Sequence, residues 1–443
     1  MSPAPEDPGA GAVTTPATAR AGLSDLLRLG ARVGWTLVRG PRPVDVGGLV
    51  CAWARETVAR NGGGAGLRIA IPGKPVELVV GHDRSEEVFA EKPGGRYCAG
   101  RLKVDAMRFL APEALVIADG EAWSRLRPFN EGALGTGGPH PSAETFLAHV
   151  RDAFSRPVTT RADVQDRMGR VMTAVVLGGT PGSAPHVPDA AEDVTTLFDV
   201  VQSPVRRKLF GRFYRGRRRR LYDLLRLRWR QADPSAPTLL GAARAHVPEA
   251  EEQTLLEQMP HWMFTFTGSG TDLLTRTLAL VTARPETRRR VMEECARIGA
   301  VDGAEALEGL AFTRACVLET GRLFPPVTRT FHRPTADGAD AEIVHYFPLL
   351  QRDDALGGDV HAFRPERWLA AEPDAACAAS NLFLRGPRAC PGADLILSIC
   401  VAAVARQVGE LRLAPRASRL SKDPLPVSFP EREARFDAPE AST

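Results

Sequence analysis

The sequence predicts a mainly α-helical fold with a small β-sheet region. Helical spacing of apolar residues dominates from about Ala143 to Thr320, and it is interrupted by a Gly/Pro cluster at residues 178–188. The chain has 443 residues, of which 44% are hydrophobic. A chain of this length and composition can bury a large core.

Strand signals are few and short. The apolar runs in residues 66–73 and 75–81 flank a Gly-Lys-Pro turn and predict a β-hairpin, which the helical pattern of residues 82–92 follows. Other strand-like pieces come after Pro334 and near the C-terminus, in ELRLAP and LPVSF. The sheet should therefore be a minor part of the fold.

The first residues differ in composition from the rest. Residues 1–22 are rich in Pro, Ala, Gly and Thr and bury too little apolar surface to offset the entropy of ordering, so we expect a disordered N-terminal lead. Order is expected to begin at Leu23, where Ser24 and Asp25 can cap an amphipathic helix.

Composition also bears on the compartment. No window approaches the roughly 18 consecutive apolar residues of a membrane-spanning helix, and the N-terminus lacks the basic and apolar regions of a signal peptide. The seven cysteines are odd in number and form no CxxC pair, which argues against a disulfide framework or a structural zinc site. We expect a protein without a transmembrane segment in a reducing cytoplasm.

The most informative segment is the cysteine loop, residues 383–392, with the sequence FLRGPRACPG. Its glycines allow the backbone to bend and direct N–H groups at the Cys390 sulfur, just before the apolar helix that follows. A helix N-terminus stabilises a thiolate, and the arginine two residues earlier can neutralise another anion. The alternative is a buried, inert cysteine. The specified positions are Phe383, Gly386, Arg388, Cys390 and Gly392.

This loop resembles the signature of the cytochrome P450 family, Phe-x-x-Gly-x-Arg-x-Cys-x-Gly. Other segments in the same order resemble the family's Trp-x-x-x-Arg, Glu-x-x-Arg and Pro-Glu-Arg motifs. The resemblance implies a cytochrome P450 fold over residues 23–443 as a single domain, of the soluble bacterial kind. The matching residues are Trp123, Arg127, Glu319, Arg322, Phe363, Pro365, Glu366 and Arg367.

The resemblance implies haem b, iron protoporphyrin IX, as the cofactor, with Cys390 as the iron ligand. Arg127 and Trp123 correspond to a helix that binds a haem propionate. Arg333 lies where the family often has another propionate-binding arginine, although Arg329 competes for that role. Glu319, Arg322 and Arg367 are expected to form a buried network behind the cysteine loop, with a structural and not a catalytic role. For Glu319 and Arg322, the alternative is an ordinary exposed i,i+3 ion pair.

A second helix resembles the family's oxygen-activating segment but departs from its pattern. Thr271 is expected to assist proton delivery, with a hydroxyl bonded to its own helix as the alternative. The position before it, usually acidic, is occupied by Gly270. Asp272 is the nearest carboxylate, but it points about 200° around the helix from position 270 and cannot simply substitute.

Residues 206–230 form a basic block with twelve basic residues and one acidic residue. A solvated basic face is the plainest interpretation, and docking of an acidic carrier domain or an anionic substrate is the functional alternative. Nucleic-acid binding is not expected. The resemblance places the block in the helices that flank substrate entry.

The sequence as a whole predicts a haem-thiolate monooxygenase that oxidises a small organic molecule with O₂, as in secondary metabolism. Without a flavin or nicotinamide fingerprint or an iron–sulfur cysteine cluster, it should receive electrons from separate partners. The family implies a ferredoxin and its reductase. The alternatives are an atypical member that catalyses coupling, desaturation, rearrangement or peroxide-driven oxidation, and a catalytically silent recruitment domain.

Overall fold

The computed structural model describes residues 18–39, 45–69, 75–178, 188–202, 204–246, 252–336, 341–372, 374–414 and 416–437. These residues form a mainly α-helical fold with one six-stranded sheet, which confirms the predicted fold class. Its α-helices are α1 (Leu23–Arg39), α2 (Val46–Arg60), α3 (His82–Ala90), α4 (Arg101–Leu110), α5 (Gly120–Leu134), α6 (Ala143–Ala153), α7 (Arg161–Met172), α8 (Pro188–Gln202), α9 (Pro204–Phe210), α10 (Arg215–Gln231), α11 (Leu239–Ala245), α12 (Glu252–Leu256), α13 (Met259–Phe264), α14 (Thr271–Ala283), α15 (Pro285–Ile298), α16 (Ala304–Gly309), α17 (Ala311–Leu323), α18 (Phe347–Gln351), α19 (Ala375–Ala378) and α20 (Ala393–Val404).

The sheet is mixed and has the strand order β1-β2-β3-β6-β5-β4. The β1–β2 and β3–β6 pairs are parallel, and the other neighbours are antiparallel. The predicted hairpin is confirmed as β2 and β3, in which Leu67 pairs with Leu78. The strands are β1 (Thr18–Ala21), β2 (Gly66–Ile69), β3 (Val76–Val79), β4 (Tyr97–Ala99), β5 (Arg329–Pro334) and β6 (Glu342–Tyr346).

The ends of the chain differ from the sequence expectation. Residues 18–21 of the expected disordered lead form β1, because they pair with β2 and bury Ala19 and Ala21. Residues 1–17 lie outside the described residues. No strand forms in the described part of residues 410–415 or in residues 425–429. In the second segment the backbone N–H groups of Val427 and Ser428 instead donate to the Asp45 carboxylate.

The main core lies where α7, α14, α17 and α20 pack against one another. α20 is buried on nearly all sides, which explains why its sequence is continuously apolar where an exposed helix would be amphipathic. This packing fixes the N-terminus of α20, and hence the cysteine loop that precedes it, in the interior. Among the described residues, no helix is long and apolar enough to cross a membrane.

Candidate functional site

The cysteine loop ends at the start of α20. The Cys390 backbone N–H donates to the Phe383 carbonyl oxygen at 2.7 Å, which closes the loop on itself. Burial raises the pKa of the Cys390 thiol, while the Gly392 backbone N–H directed at the sulfur and the positive charge of Arg127 act in the opposite direction. Groups that stabilise a thiolate are therefore present around Cys390. A bound metal cation would offset the negative charge of that thiolate.

The two glycines of the loop have different roles. Gly386 has φ of +60°, and a Cβ atom there would overlap the carbonyl oxygen of Phe89 in α3. A side chain at Gly392 would make only ordinary contact with Leu134, at 3.6 Å. The glycine at 386 is therefore required by backbone packing, and the one at 392 is not required by space.

Arg388 lies between the loop, the sheet and the start of α5. Its Nη2 donates to the Tyr97 carbonyl oxygen and to Asp119 Oδ1, both at 3.2 Å. Its Nε is buried and has no hydrogen-bond partner within the described ranges. A buried guanidinium N–H without an acceptor fits an anionic oxygen that comes from outside the chain.

Arg127 on α5 contacts the cysteine loop directly. Its Nη1 donates to the carbonyl oxygen of Ala389 at 2.5 Å, and its Nε donates to Glu131 at 2.7 Å. Trp123 lies one helical turn earlier and is half-buried. Arg127 therefore supports the residue that precedes Cys390, and its expected contact with a propionate, like that of Trp123, stays a prediction.

The two candidate arginines on β5 have different surroundings. Arg329, at the start of the strand, is exposed, whereas Arg333 is half-buried and pairs with Cys98 of β4. The Cys98 thiol donates to the Arg333 carbonyl oxygen at 3.7 Å. Arg333 is thus better placed than Arg329 to reach the interior, although its role stays a prediction.

Glu319, Arg322 and Arg367 form one buried ion-pair cluster. Arg322 donates to both Glu319 oxygens at 2.8 Å, and both side chains are 0% exposed. Arg367 Nε donates to Glu319 Oε1 at 3.1 Å, and Trp368 Nε1 donates to Oε2 at 2.9 Å. The cluster ties α17 to the segment around Pro365.

The helix that passes through the core from α13 to α14 has a π-helical turn at Thr265–Gly270. A π-helical turn holds one extra residue and rotates the following side chains relative to a regular helix. Partly accessible residues recur with regular helical spacing along one face, and fully buried residues follow the other. The accessible face consists of His261, Phe264, Thr265, Gly268, Ser269 and Asp272.

Of the three residues considered for oxygen activation, Gly270 and Thr271 are buried, and Asp272 alone is on the accessible face. Thr271 is 0% exposed and donates its hydroxyl to the Phe266 carbonyl oxygen at 3.0 Å. A Cβ atom at Gly270 would lie 2.7 Å from the Thr265 carbonyl oxygen, so no carboxylate side chain fits there. Asp272 is engaged by Arg161 at 2.7 Å and by Arg276 at 3.4 Å.

Two residues on the accessible face escaped the sequence analysis: Ser269 and His261. Ser269 is a hydroxyl four residues beyond Thr265, a spacing that places both on the same face of a helix. The signal that could have revealed His261 is the presence of an ionisable residue in an otherwise apolar helical stretch.

Comparison with known proteins gives one consistent family. The chain is 30% identical over 180 residues to cytochrome P450 monooxygenase 212 of Postia placenta, covering 33% of this chain and 32% of that protein. It is 29% identical over 135 residues to cytochrome P450 94B3 of Arabidopsis thaliana, covering 26% and 27%. It is 33% identical over 123 residues to the mitochondrial 1,25-dihydroxyvitamin D(3) 24-hydroxylase of Rattus norvegicus, covering 25% and 24%.

No family model matches the chain, and the matches span about a third or less of the first relatives' length. The mainly helical fold and a cysteine held at a helix N-terminus fit a haem-thiolate protein. Over the matched segments, the chain is similar to cytochrome P450 proteins.

Haem b is the cofactor of this family, and the residues fit it. Cys390 provides a sulfur ligand with an N–H donor beside it. Arg388 provides a buried Nε that lacks an acceptor in the described chain, as a propionate carboxylate requires. Cys390 would hold the iron, and Arg388 would hold a propionate.

Proposed function

We propose that this chain is a haem-thiolate monooxygenase that oxidises a small organic molecule with O₂. The observation that carries the proposal is Cys390 at the N-terminus of α20, with the Gly392 N–H directed at its sulfur. Bound through a thiolate, haem supplies oxygen activation, because electron density from the sulfur favours O–O cleavage. The other steps depend on the chain's own groups.

The accessible face from His261 to Ser269 is proposed to line the substrate pocket. Phe264 stacks on Phe198 of α8 with ring centroids 3.4 Å apart, which gives this face an apolar wall that excludes water. Ser269 Oγ donates to the Thr265 carbonyl oxygen at 3.3 Å, a long bond that the hydroxyl can exchange for a ligand or water. Ser269 is thus suited to hold a proton donor on this face, whereas Thr271 is bonded inside the helix.

The absence of an acid at position 270 favours a second candidate, an atypical or peroxide-driven member of the family. Packing of Gly270 against Thr265 and Ile396 leaves no room for the carboxylate that usually assists proton delivery. If this candidate is right, hydrogen peroxide supports turnover without any reductase. Failure of peroxide to replace the electron donors would exclude it.

Electrons are proposed to come from a separate ferredoxin and its reductase, and the reaction is proposed to belong to secondary metabolism. Relatives named as cytochrome P450 monooxygenases occur in fungi, and one named cytochrome P450 94B3 occurs in a plant, so the expected bacterial origin stays a prediction. All seven cysteines are free, which supports a reducing compartment such as the cytoplasm.

Part of the basic block has structural partners. Arg217 and Arg220 pair with Asp193 of α8 at 2.8 and 3.1 Å, and Arg218 donates to the Leu110 carbonyl oxygen at 3.0 Å. Arg219 is 86% exposed on its side chain. Its one ion pair among the described residues, with Asp223, is long at 4.0 Å. A carrier domain or other acidic partner is therefore proposed to contact Arg219 rather than the arginines bonded to Asp193 and Leu110. Arg219→Glu should weaken its binding in a salt-dependent way without loss of haem.

Replacement of the cysteine tests the main proposal. The reduced carbon monoxide complex should show the strongly red-shifted Soret band of thiolate ligation, and Cys390→Ala should lose it. Cys400→Ala is the matched control, because Cys400 is a buried cysteine on α20 whose pKa burial raises to about 12. Retention of the band in Cys390→Ala would refute the proposed ligation.

A further inference from the structure

Three large apolar side chains lie on the surface of α9 and of the 3₁₀ helix Gly211–Tyr214 that follows it. Val205, Leu209 and Phe213 are 65%, 59% and 67% exposed. Val205 and Leu209 share one face of α9 because they are four residues apart, and Phe213 follows at the same spacing. These three residues form the apolar ridge. Single exposed apolar side chains are common, but a series of them marks an interaction site.

The charged residues next to the apolar ridge in the sequence are all basic. Residues 200–222 contain nine arginine and lysine residues and no aspartate or glutamate. Arg206 and Lys208 are exposed, and at about 100° per residue they lie on either side of the first two ridge residues. Arg212 is also exposed, and its guanidinium lies 5.3 Å from the centre of the Phe213 ring. Cations therefore flank the apolar ridge.

We propose that the apolar ridge docks on an anionic lipid bilayer. A helical segment with leucine or phenylalanine on one face and arginine or lysine beside it is typical of segments that lie in a membrane interface. The apolar side chains enter the boundary between headgroups and acyl chains, and the flanking cations bind the lipid phosphates. This contact with a membrane surface goes beyond the proposed function and does not depend on it.

A protein partner fits this surface less well than a bilayer does. The cores of protein interfaces are depleted in lysine and other charged residues, because close packing takes each charge out of water. Here Arg206 and Lys208 lie within one helical turn of the apolar ridge. A bilayer accommodates both kinds of side chain, because the charged ends stay at the level of the headgroups while the ridge inserts.

Sedimentation of the full-length holoprotein with vesicles tests the proposal. The partition coefficient is measured for phosphatidylcholine alone and for phosphatidylcholine mixed with phosphatidylglycerol, each at low and at high ionic strength. The variant Leu209→Gln removes an apolar side chain from the ridge. Leu227→Gln is the matched control, because Leu227 is 53% exposed in the same basic block and has Asp223 and Gln231 four residues away on its face of α10.

The wild type should bind the mixed vesicles about tenfold or more tightly than phosphatidylcholine vesicles, and added salt should reduce that difference by screening. Leu209→Gln should lower the partition coefficient on mixed vesicles by about tenfold, since it removes apolar surface that enters the bilayer. Leu227→Gln should leave this coefficient unchanged. Both positions are exposed, so the haem content and thermal unfolding of both variants should match the wild type.

Other results would overturn the proposal. If the wild type does not bind mixed vesicles at low ionic strength, the membrane contact is refuted; binding of an acidic carrier protein that depends on Leu209 would then assign the ridge to a protein partner. Equal losses in Leu209→Gln and Leu227→Gln, or no loss in either, would show that the ridge does not insert. A wild-type dimer that Leu209→Gln converts to a monomer, without vesicles, would mean that a second copy covers the ridge.

Discussion

Gly386 of the cysteine loop packs against the Phe89 carbonyl of α3 so closely that a Cβ atom at Gly386 would overlap that oxygen. Its φ of +60° is also in the left-handed region, which favours glycine. Gly386 is therefore required both for the bend of the loop and for the close packing of the loop on α3. Because Cys390 is four residues further along, any shift at Gly386 should reach the sulfur.

The first prediction compares two glycines of this loop. Gly386→Ala should reduce the haem content of the purified protein several-fold, because the loop must move away from Phe89. Gly392→Ala should have a much smaller effect, because its φ is −97° and its nearest contact would be at 3.6 Å. The ratio of Soret to protein absorbance, with the carbon monoxide spectrum, measures both. Equal losses in the two variants would contradict this account of the loop.

The second prediction concerns the buried Glu319 cluster. Glu319→Gln leaves the charges of Arg322 and Arg367 uncompensated in the interior, so it should lower the free energy of unfolding by about 3–5 kcal/mol. Glu366→Gln is the control, because Glu366 is 55% exposed and pairs with Arg290 at the surface. That change should cost less than about 1 kcal/mol. Urea unfolding measures both, and a small loss in Glu319→Gln would mean that the cluster is not a major source of stability.

The sequence predicts the fold class and the cysteine loop well because both depend on local patterns. Helical periodicity and the fixed glycine and arginine spacing are visible without tertiary contacts. The motif resemblance also brings together Glu319, Arg322 and Arg367, which the structure places in one cluster.

Other parts of the site depend on tertiary packing that no local pattern encodes. Helical spacing alone does not show which face of the helix through Thr265–Gly270 is buried, and therefore does not show that Ser269 is partly accessible while Thr271 is buried. Likewise, β1 forms within a segment of disordered composition because β2 provides a parallel partner.

The third prediction separates the two hydroxyls near the π-helical turn. Ser269→Ala should raise the fraction of consumed electrons that appears as hydrogen peroxide, because Ser269 is on the accessible face and Thr271 is not. Thr271→Val should leave this fraction nearly unchanged and slightly lower stability, because it removes the bond to Phe266. Reductant consumption, peroxide and product are measured together. The reverse pattern would restore the role that the sequence predicts for Thr271.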